Sequence, residues 1–163
     1  AGFHFTKELM DRAREKGASF CPVTLSIGLG TFRPVKTEDL SRHKMHSEHF
    51  EISEEAANAI NRAKAEGRRV IAVGTTSCRT LESAWDEKTQ SVRALSGDTE
   101  LFIHPGFCFH VLDGLITNFH LPQSTLLMLV CAFWGYDDTM RAYRHAVEKR
   151  YRFFSFGDAM MIL

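Results

Sequence analysis

The sequence predicts an α/β fold, a mixed sheet with flanking helices, and three observations carry that prediction. Val23, Leu25, Ile27 and Leu29 alternate with Thr24, Ser26 and Gly28, the period of a half-buried strand. Val70-Ile-Ala-Val73 is continuously apolar, as befits a short strand covered on both faces. Segments of helical period, several opened by a hydroxyl and closed by a glycine, alternate with such strands along the chain.

In order, Thr6 caps a predicted helix over 7–16, with Leu9 and Ala13 inward and Gly17 ending it. The alternating strand runs into the loop Gly30-Thr-Phe-Arg-Pro34, and 36–47 is polar and rich in histidine, a loop with a helical turn. A short strand is expected over 49–52. Ser53 then caps a helix with Ala56, Ile60 and Ala63 on one face and Gly67 at its end. After the 70–73 strand and Gly74-Thr-Thr-Ser77, a helix is expected from Cys78 to about Trp85, followed by a polar excursion over 86–97. Two strands are predicted at 101–103 and 107–111, separated by Pro105-Gly106. Leu115-Ile-Thr117 is another strand, after the turn pair Asp113-Gly114. Ser124 or Thr125 can cap the very apolar run 126–134, and Gly135 sits where a C′ glycine belongs. Asp137 is expected to cap a last helix with Met140, Tyr143 and Val147 inward and Arg141, Arg144 and Lys149 outward. The end, 151–163, is strand-like and turns at Gly157.

Composition narrows the partners. Twenty Lys and Arg balance twenty Asp and Glu, so any nucleic-acid face must be local, not global. Four cysteines without a CxxC pair argue for reduced thiols in a cytoplasmic protein and against a thiolate metal centre. No apolar run is long enough to span a bilayer. The start Ala1-Gly-Phe-His4 lacks a methionine and enters a helix cap within six residues, which reads as a cut edge.

Four stretches can carry chemistry. In Asp113–Val130, Asn118 and His120 lie between a strand and an apolar helix; this is either a ligand crevice or a buried loop whose polar side chains satisfy the backbone. Thr75, Thr76 and Ser77 stand at a helix start, where free N–H groups and hydroxyls can hold an anion or a ribose; plain N-capping is the alternative. Arg79, one turn on, adds a charge. Gly28-Leu-Gly30 lacks the third glycine of a dinucleotide fingerprint, yet permits close backbone approach, with Phe32 for stacking and Arg33 for charge. His43, His46, Glu48 and His49 lack the spacing of a zinc motif, leaving an acid–base role or an ordinary polar loop. In Phe153-Phe-Ser-Phe-Gly-Asp158 the phenylalanines are expected in the core. Asp158 can meet a ligand amine or close a turn.

Taken in order, the blocks Ala1-Gly-Phe-His-Phe-Thr6, Gly28-Leu-Gly-Thr-Phe-Arg-Pro-Val35, His43-Lys-Met-His-Ser-Glu48, Val73-Gly-Thr-Thr-Ser77, Arg79-Thr-Leu-Glu-Ser83, Asp113-Gly-Leu-Ile-Thr-Asn-Phe-His-Leu-Pro122 and Tyr151-Arg-Phe-Phe-Ser-Phe-Gly-Asp-Ala-Met160 resemble the S-adenosylmethionine:tRNA ribosyltransferase-isomerase family of queuosine biosynthesis. The resemblance implies that residues 1–163 are the C-terminal portion of a larger, barrel-like α/β domain in a two-domain enzyme. The start of that domain and most of a small β-barrel domain would lie outside this sequence.

It implies a reaction as well: the ribosyl group of S-adenosylmethionine passes to preQ1 in tRNA and is isomerised, giving epoxyqueuosine-tRNA and releasing adenine and methionine. The sulfonium acidifies the neighbouring C5′ proton, so one positioned base suffices to begin, and a donor at adenine eases its departure. An aromatic face or a carboxylate suits the cation. These steps call for no cofactor beyond S-adenosylmethionine as co-substrate, and no metal. Under this reading His46 with Glu48 supplies acid–base chemistry, and His120 with Asn118 orients ribose or adenine at the reacting centre. Thr75, Thr76, Ser77 and Arg79 hold ribose hydroxyls or the methionine carboxylate, Phe32 and Arg33 meet the base or RNA, and Asp158 meets a ligand amine. RNA contacts come from Arg141, Arg144, Lys149 and Arg150. The full-length protein is expected to be a cytoplasmic monomer without membrane contact. The alternative is an RNA-binding or structural half that is silent without the rest of the enzyme.

Overall fold

The computed structural model describes residues 1–28 and 45–163. Phe32, Arg33 and His43 lie outside the described residues, as does the end of the first predicted strand.

A 3-10 turn at Gly2–His4 leads to α1 (Lys7–Glu15), where the Thr6 hydroxyl accepts from Leu9 N at 3.2 Å. Leu9, expected inward, is exposed, and α1 buries no residue. The first strand shrinks to β1 (Thr24–Leu25), beside β2 (Glu48–Ile52). The Ser53 hydroxyl caps α2 (Glu54–Ala65), which buries Ala56, Ala57 and Ile60 as its period predicts. β3 (Ile71–Val73) follows, then α3 (Thr75–Ser83).

The stretch expected to be an unpatterned excursion holds three strands: β4 (Trp85–Asp86), β5 (Ser91–Val92) and β6 (Leu95–Thr99). β4 and β5 form a hairpin; β6 pairs antiparallel with β2 over Glu48↔Thr99 to Ile52↔Leu95. Its period-2 pattern is hidden because Gly97 and Thr99 stand at inward positions where apolar side chains would be looked for.

The strands predicted at 101–103 and 107–111 do not form. Side chains take the backbone groups that a ladder would use. The buried Glu82 carboxylate accepts from His110 N, Val111 N and Leu112 N at 3.0–3.2 Å. Lys64 Nζ donates to Val111 O, and Arg79 Nε to Leu101 O. The apolar run thus lines the core through Ile103 and Val111 without joining a sheet. Glu82→Gln, which keeps one acceptor oxygen and loses the charge, is expected to lower stability by about 2 kcal/mol, read from the denaturant midpoint.

β7 (Gly114–Asn118) lies between β3, to which it is parallel, and β8 (Ala159–Ile162), to which it is antiparallel. Among the described residues there are thus three small sheets, β1-β2-β6, β3-β7-β8 and β4-β5, in place of one mixed sheet. α4 (Thr125–Trp134) is capped by the Ser124 hydroxyl, which accepts from Leu127 N at 3.1 Å. Gly135, at φ 94°, separates it from α5 (Tyr136–Glu148); Gly135, not Asp137, is the N-cap. On α5 Tyr143 and Ala146 are buried, whereas Val147, expected inward, is 65% exposed.

The main core joins Phe50 and Ile52 of β2, Ile60 of α2, Leu81 of α3, Leu115 of β7 and Leu129 and Val130 of α4. A smaller one gathers Phe119, Tyr143 and Ala146, with Phe153 against them. Burying such a side chain contributes roughly 1.5–3 kcal/mol, so the two clusters fix how β7 and α4 meet.

Candidate functional site

Because β3 and β7 are parallel, their carboxyl ends open on the same side, and a helix begins just beyond each. In open α/β sheets that edge is where ligands sit. A cavity of about 530 Å³ lies there. That is within the range of small-molecule sites, roughly 300–1,000 Å³.

One wall is the start of α3. Gly74 holds φ 95°, a conformation that disfavours any side chain, and its N–H continues the ladder to Ile116 O at 2.7 Å. Among the described residues no side chain caps α3. Of the two hydroxyls expected to do so, Ser77 Oγ donates instead to Val73 O at 3.0 Å, and that of Thr76 makes no cap bond among the described residues. The N-capping alternative for Thr76 or Ser77 therefore fails. Thr75 and Thr76 line the cavity at a helix end whose dipole favours a negative charge. Ser77 and Arg79 are not among the lining residues.

The opposite wall is the end of β7 and the turn into α4. Thr117, Asn118, His120 and Ser124 line it. Asn118 Nδ2 donates to the carbonyls of Gly157 and Asp158, both at 3.2 Å, and its Oδ1 accepts from Ala1 N. His120 Nε2 sits 2.8 Å from Thr117 Oγ1. Its backbone N–H donates to the Tyr143 hydroxyl at 2.9 Å, so α5 fixes where the imidazole stands. Burial lowers the His120 pKa to about 4, which leaves the ring neutral near pH 7. Burial likewise pushes the Tyr143 phenol up to about 12, so it stays protonated. Both side chains keep one protonation state across the neutral range.

The acid–base pair expected of His46 and Glu48 sits differently. His46 is exposed, whereas Glu48 is 2% exposed and its carboxylate accepts from Arg79 Nη1 and from Gly28 N. Arg79, itself 3% exposed, spends its guanidinium on Glu48 and Leu101 O, and Nη2 has no hydrogen-bond partner among the described residues. The structure thus brings together two residues assigned to different roles, as a buried ion pair between β2 and α3. Both ring nitrogens of His49 face β6, 3.0 Å from Asp98 Oδ1 and Ser96 Oγ. Among the described residues no three His, Cys, Asp or Glu side chains gather as metal ligands.

Asp158 closes a turn. Its carboxylate accepts from Arg152 N at 2.7 Å and Arg152 Nη2 at 3.3 Å, and the backbone bond from Arg152 is the main reason its pKa is lowered. Arg141, Arg144, Lys149 and Arg150 are all exposed on or just after α5, with Arg141 paired to Asp138. No described helix is long and apolar enough to cross a membrane. Sequence reasoning missed Thr117, the contact that holds the imidazole, and Tyr143 as the anchor of His120; the i, i+3 spacing of Thr117 and His120 was the available sign.

Comparison with known proteins agrees with this architecture. Residues 1–162 match the family model described as a queuosine biosynthesis protein. The chain is 61% identical over 162 residues to the S-adenosylmethionine:tRNA ribosyltransferase-isomerase of Clostridioides difficile (strain 630), covering 99% of this chain and 47% of that protein. It is 59% identical over 163 residues to the protein of the same name from Carboxydothermus hydrogenoformans, covering 100% of this chain and 48% of the relative. A crystal structure of S-adenosylmethionine tRNA ribosyltransferase from Thermotoga maritima superposes with a TM-score of 0.82 at 44% identity, over 99% of this chain and 51% of that one. The chain spans about half the length of the curated relatives it matches. Family model, relatives and superposed structure agree, and the chain belongs to the queuosine biosynthesis protein family.

Proposed function

We propose that this chain supplies the S-adenosylmethionine-binding wall of a tRNA ribosyltransferase-isomerase, which transfers and isomerises the ribosyl group onto preQ1-modified tRNA to give epoxyqueuosine-tRNA, with adenine and methionine released. The observation that carries the reading is a neutral imidazole, His120, facing a cavity beside an uncapped helix start.

The roles follow from placement. His120 is the proton acceptor at the reacting ribose: a neutral ring can take a proton, and Thr117 and Tyr143 fix its orientation. Thr75 and Thr76 offer hydroxyls and first-turn N–H groups to the methionine carboxylate or to the charge that develops on departing adenine. Phe154 lines the cavity and gives the sulfonium an aromatic face. Asn118 ties this wall to the 152–158 turn. Glu48 and Arg79 hold β2 against α3 and are positioning residues in this scheme, a change from the acid–base and substrate contacts expected of them. No step in the scheme draws on a cofactor other than the co-substrate.

RNA meets the exposed cations of α5 and its end. Affinity of the full-length protein for tRNA is expected to fall linearly with log salt, and replacing Arg144 and Lys149 with alanine should reduce the slope by about 2. The reading as a whole is tested by adenine release from S-adenosylmethionine in the presence of preQ1-tRNA. The full-length protein should release adenine only with both substrates, and a protein that binds tRNA but never releases adenine would leave the silent RNA-binding half as the better account.

A further inference from the structure

The turn 152–158 carries aromatic side chains that neither core absorbs. Phe153 packs against Phe119 and Tyr143, as expected for a core residue. Phe156 is 85% exposed, and its ring stacks on Phe3, 73% exposed, with centroids 5.3 Å apart and planes 7° from parallel. Two large apolar rings held face to face in water are costly to leave uncovered, at roughly 25 cal/mol per Å² of apolar surface.

The backbone that presents them is held in place from several sides. Phe154 adopts φ 71°, uncommon for a bulky residue. Gly157 N donates to Phe154 O at 2.9 Å and Asp158 N to Arg152 O at 2.8 Å. A Cβ at Gly157 would stand 2.3 Å from Arg152 O, so no other residue fits there. His4 Nε2 meets Gly157 O at 2.9 Å, which locks the turn bearing Phe3 to the one bearing Phe156. Strain maintained by this many contacts is a mark of a site more than of a connector.

Two further facts indicate the occupant. Phe3 and Phe154 form part of the cavity lining, and Phe156 adjoins it through its stack on Phe3. The chain enters the turn from α5 through Lys149, Arg150 and Arg152, all exposed cations, with Tyr151 among them. Exposed aromatic faces interleaved with cations on one short segment are the combination that holds single-stranded nucleic acid: rings take bases and cations take phosphates. We propose that Phe156, backed by Phe3, is a stacking platform for an unpaired base of the substrate RNA next to the nucleotide being modified, with Lys149 and Arg150 on the flanking phosphates. This inference rests on the reading that RNA is the second substrate.

The test uses the full-length protein and a stem-loop RNA that carries preQ1 in its loop, with 2-aminopurine placed in turn at each unpaired position, its fluorescence quenched on stacking. Binding of S-adenosylmethionine is followed in parallel. At one position the wild type should quench the probe. Phe156→Leu, which keeps an apolar side chain without a ring, should abolish that quenching and weaken RNA binding by about tenfold or more. Phe156→Trp should restore both, and the affinity for S-adenosylmethionine should stay within about twofold throughout. Equal RNA binding by Phe156→Leu and wild type, with no quenching at any position, overturns the platform while leaving RNA as substrate intact. It would assign the rings to a protein contact with the rest of the enzyme. Failure of the wild type to bind the RNA at all overturns both the platform and the reading beneath it.

Discussion

Replacing His120 with glutamine in the full-length enzyme is expected to lower turnover by about 10²- to 10⁴-fold, the usual contribution of a positioned general base, with substrate affinities little changed. Glutamine can still meet Thr117 Oγ1 but cannot take a proton, so the loss should appear in kcat, not in KM. A loss confined to KM would mean that the imidazole only orients ribose. The pH dependence has a definite sign. The folded-state pKa is lowered to about 4 from the ordinary 6.5, so the ring is neutral in both folded and unfolded chains above about pH 6.5. Between pH 6.5 and 4 the unfolded chain takes up a proton that the folded chain refuses. Stability is therefore lost as pH falls through that window, by on the order of 3 kcal/mol. His120→Gln should flatten that part of the profile, and an unchanged slope would place the titration on another group.

Arg79→Met is expected to destabilise the protein by about 3–5 kcal/mol, because it removes the guanidinium that faces the buried Glu48 carboxylate. Glu48→Gln should cost less, since the amide oxygen of the new side chain can still accept from the guanidinium, although the amide NH2 then faces Gly28 N and that bond is lost. The double change Arg79→Met with Glu48→Leu should recover much of the single-mutant loss, since an apolar pair of similar size often replaces a buried ion pair at little net cost. Chemical denaturation of these variants and of Glu48→Leu alone measures this, and additive losses in the Arg79→Met, Glu48→Leu cycle would contradict a direct pairing. The pair has a mechanical consequence too. It fastens Gly28 and β2 to the helix whose first turn forms a cavity wall, so loosening it should raise KM for S-adenosylmethionine even under conditions where the variant is folded.

Local chemistry made much of this legible beforehand. Thr6, Ser53 and Ser124 each precede a helical period and each caps the expected helix, because capping depends on a hydroxyl and the three residues after it. The uninterrupted apolar run at 70–73 announced a short strand, and β3 forms there over Ile71–Val73. The crevice at Asn118 and His120 was readable because polar side chains between a strand and an apolar helix have few other places to go. What escaped was non-local. Nothing near Glu48 announces Arg79, 31 residues away, and nothing in the apolar run 101–111 announces that Glu82 will take its backbone donors. Phe154 and Phe156 read as core because hydrophobicity is local while burial is not; the strained turn that turns them outward depends on His4, at the other end of the sequence.

The central claim is that S-adenosylmethionine sits between the first turns of α3 and α4, against His120. Hydrogen exchange of the full-length protein with and without S-adenosylmethionine measures this directly. The ligand is predicted to slow exchange at the amides of Thr75, Thr76 and Ser77 and at those of the 118–127 turn, and to leave the exposed face of α5 unchanged. Protection confined to elements away from the carboxyl ends of β3 and β7 would contradict the account.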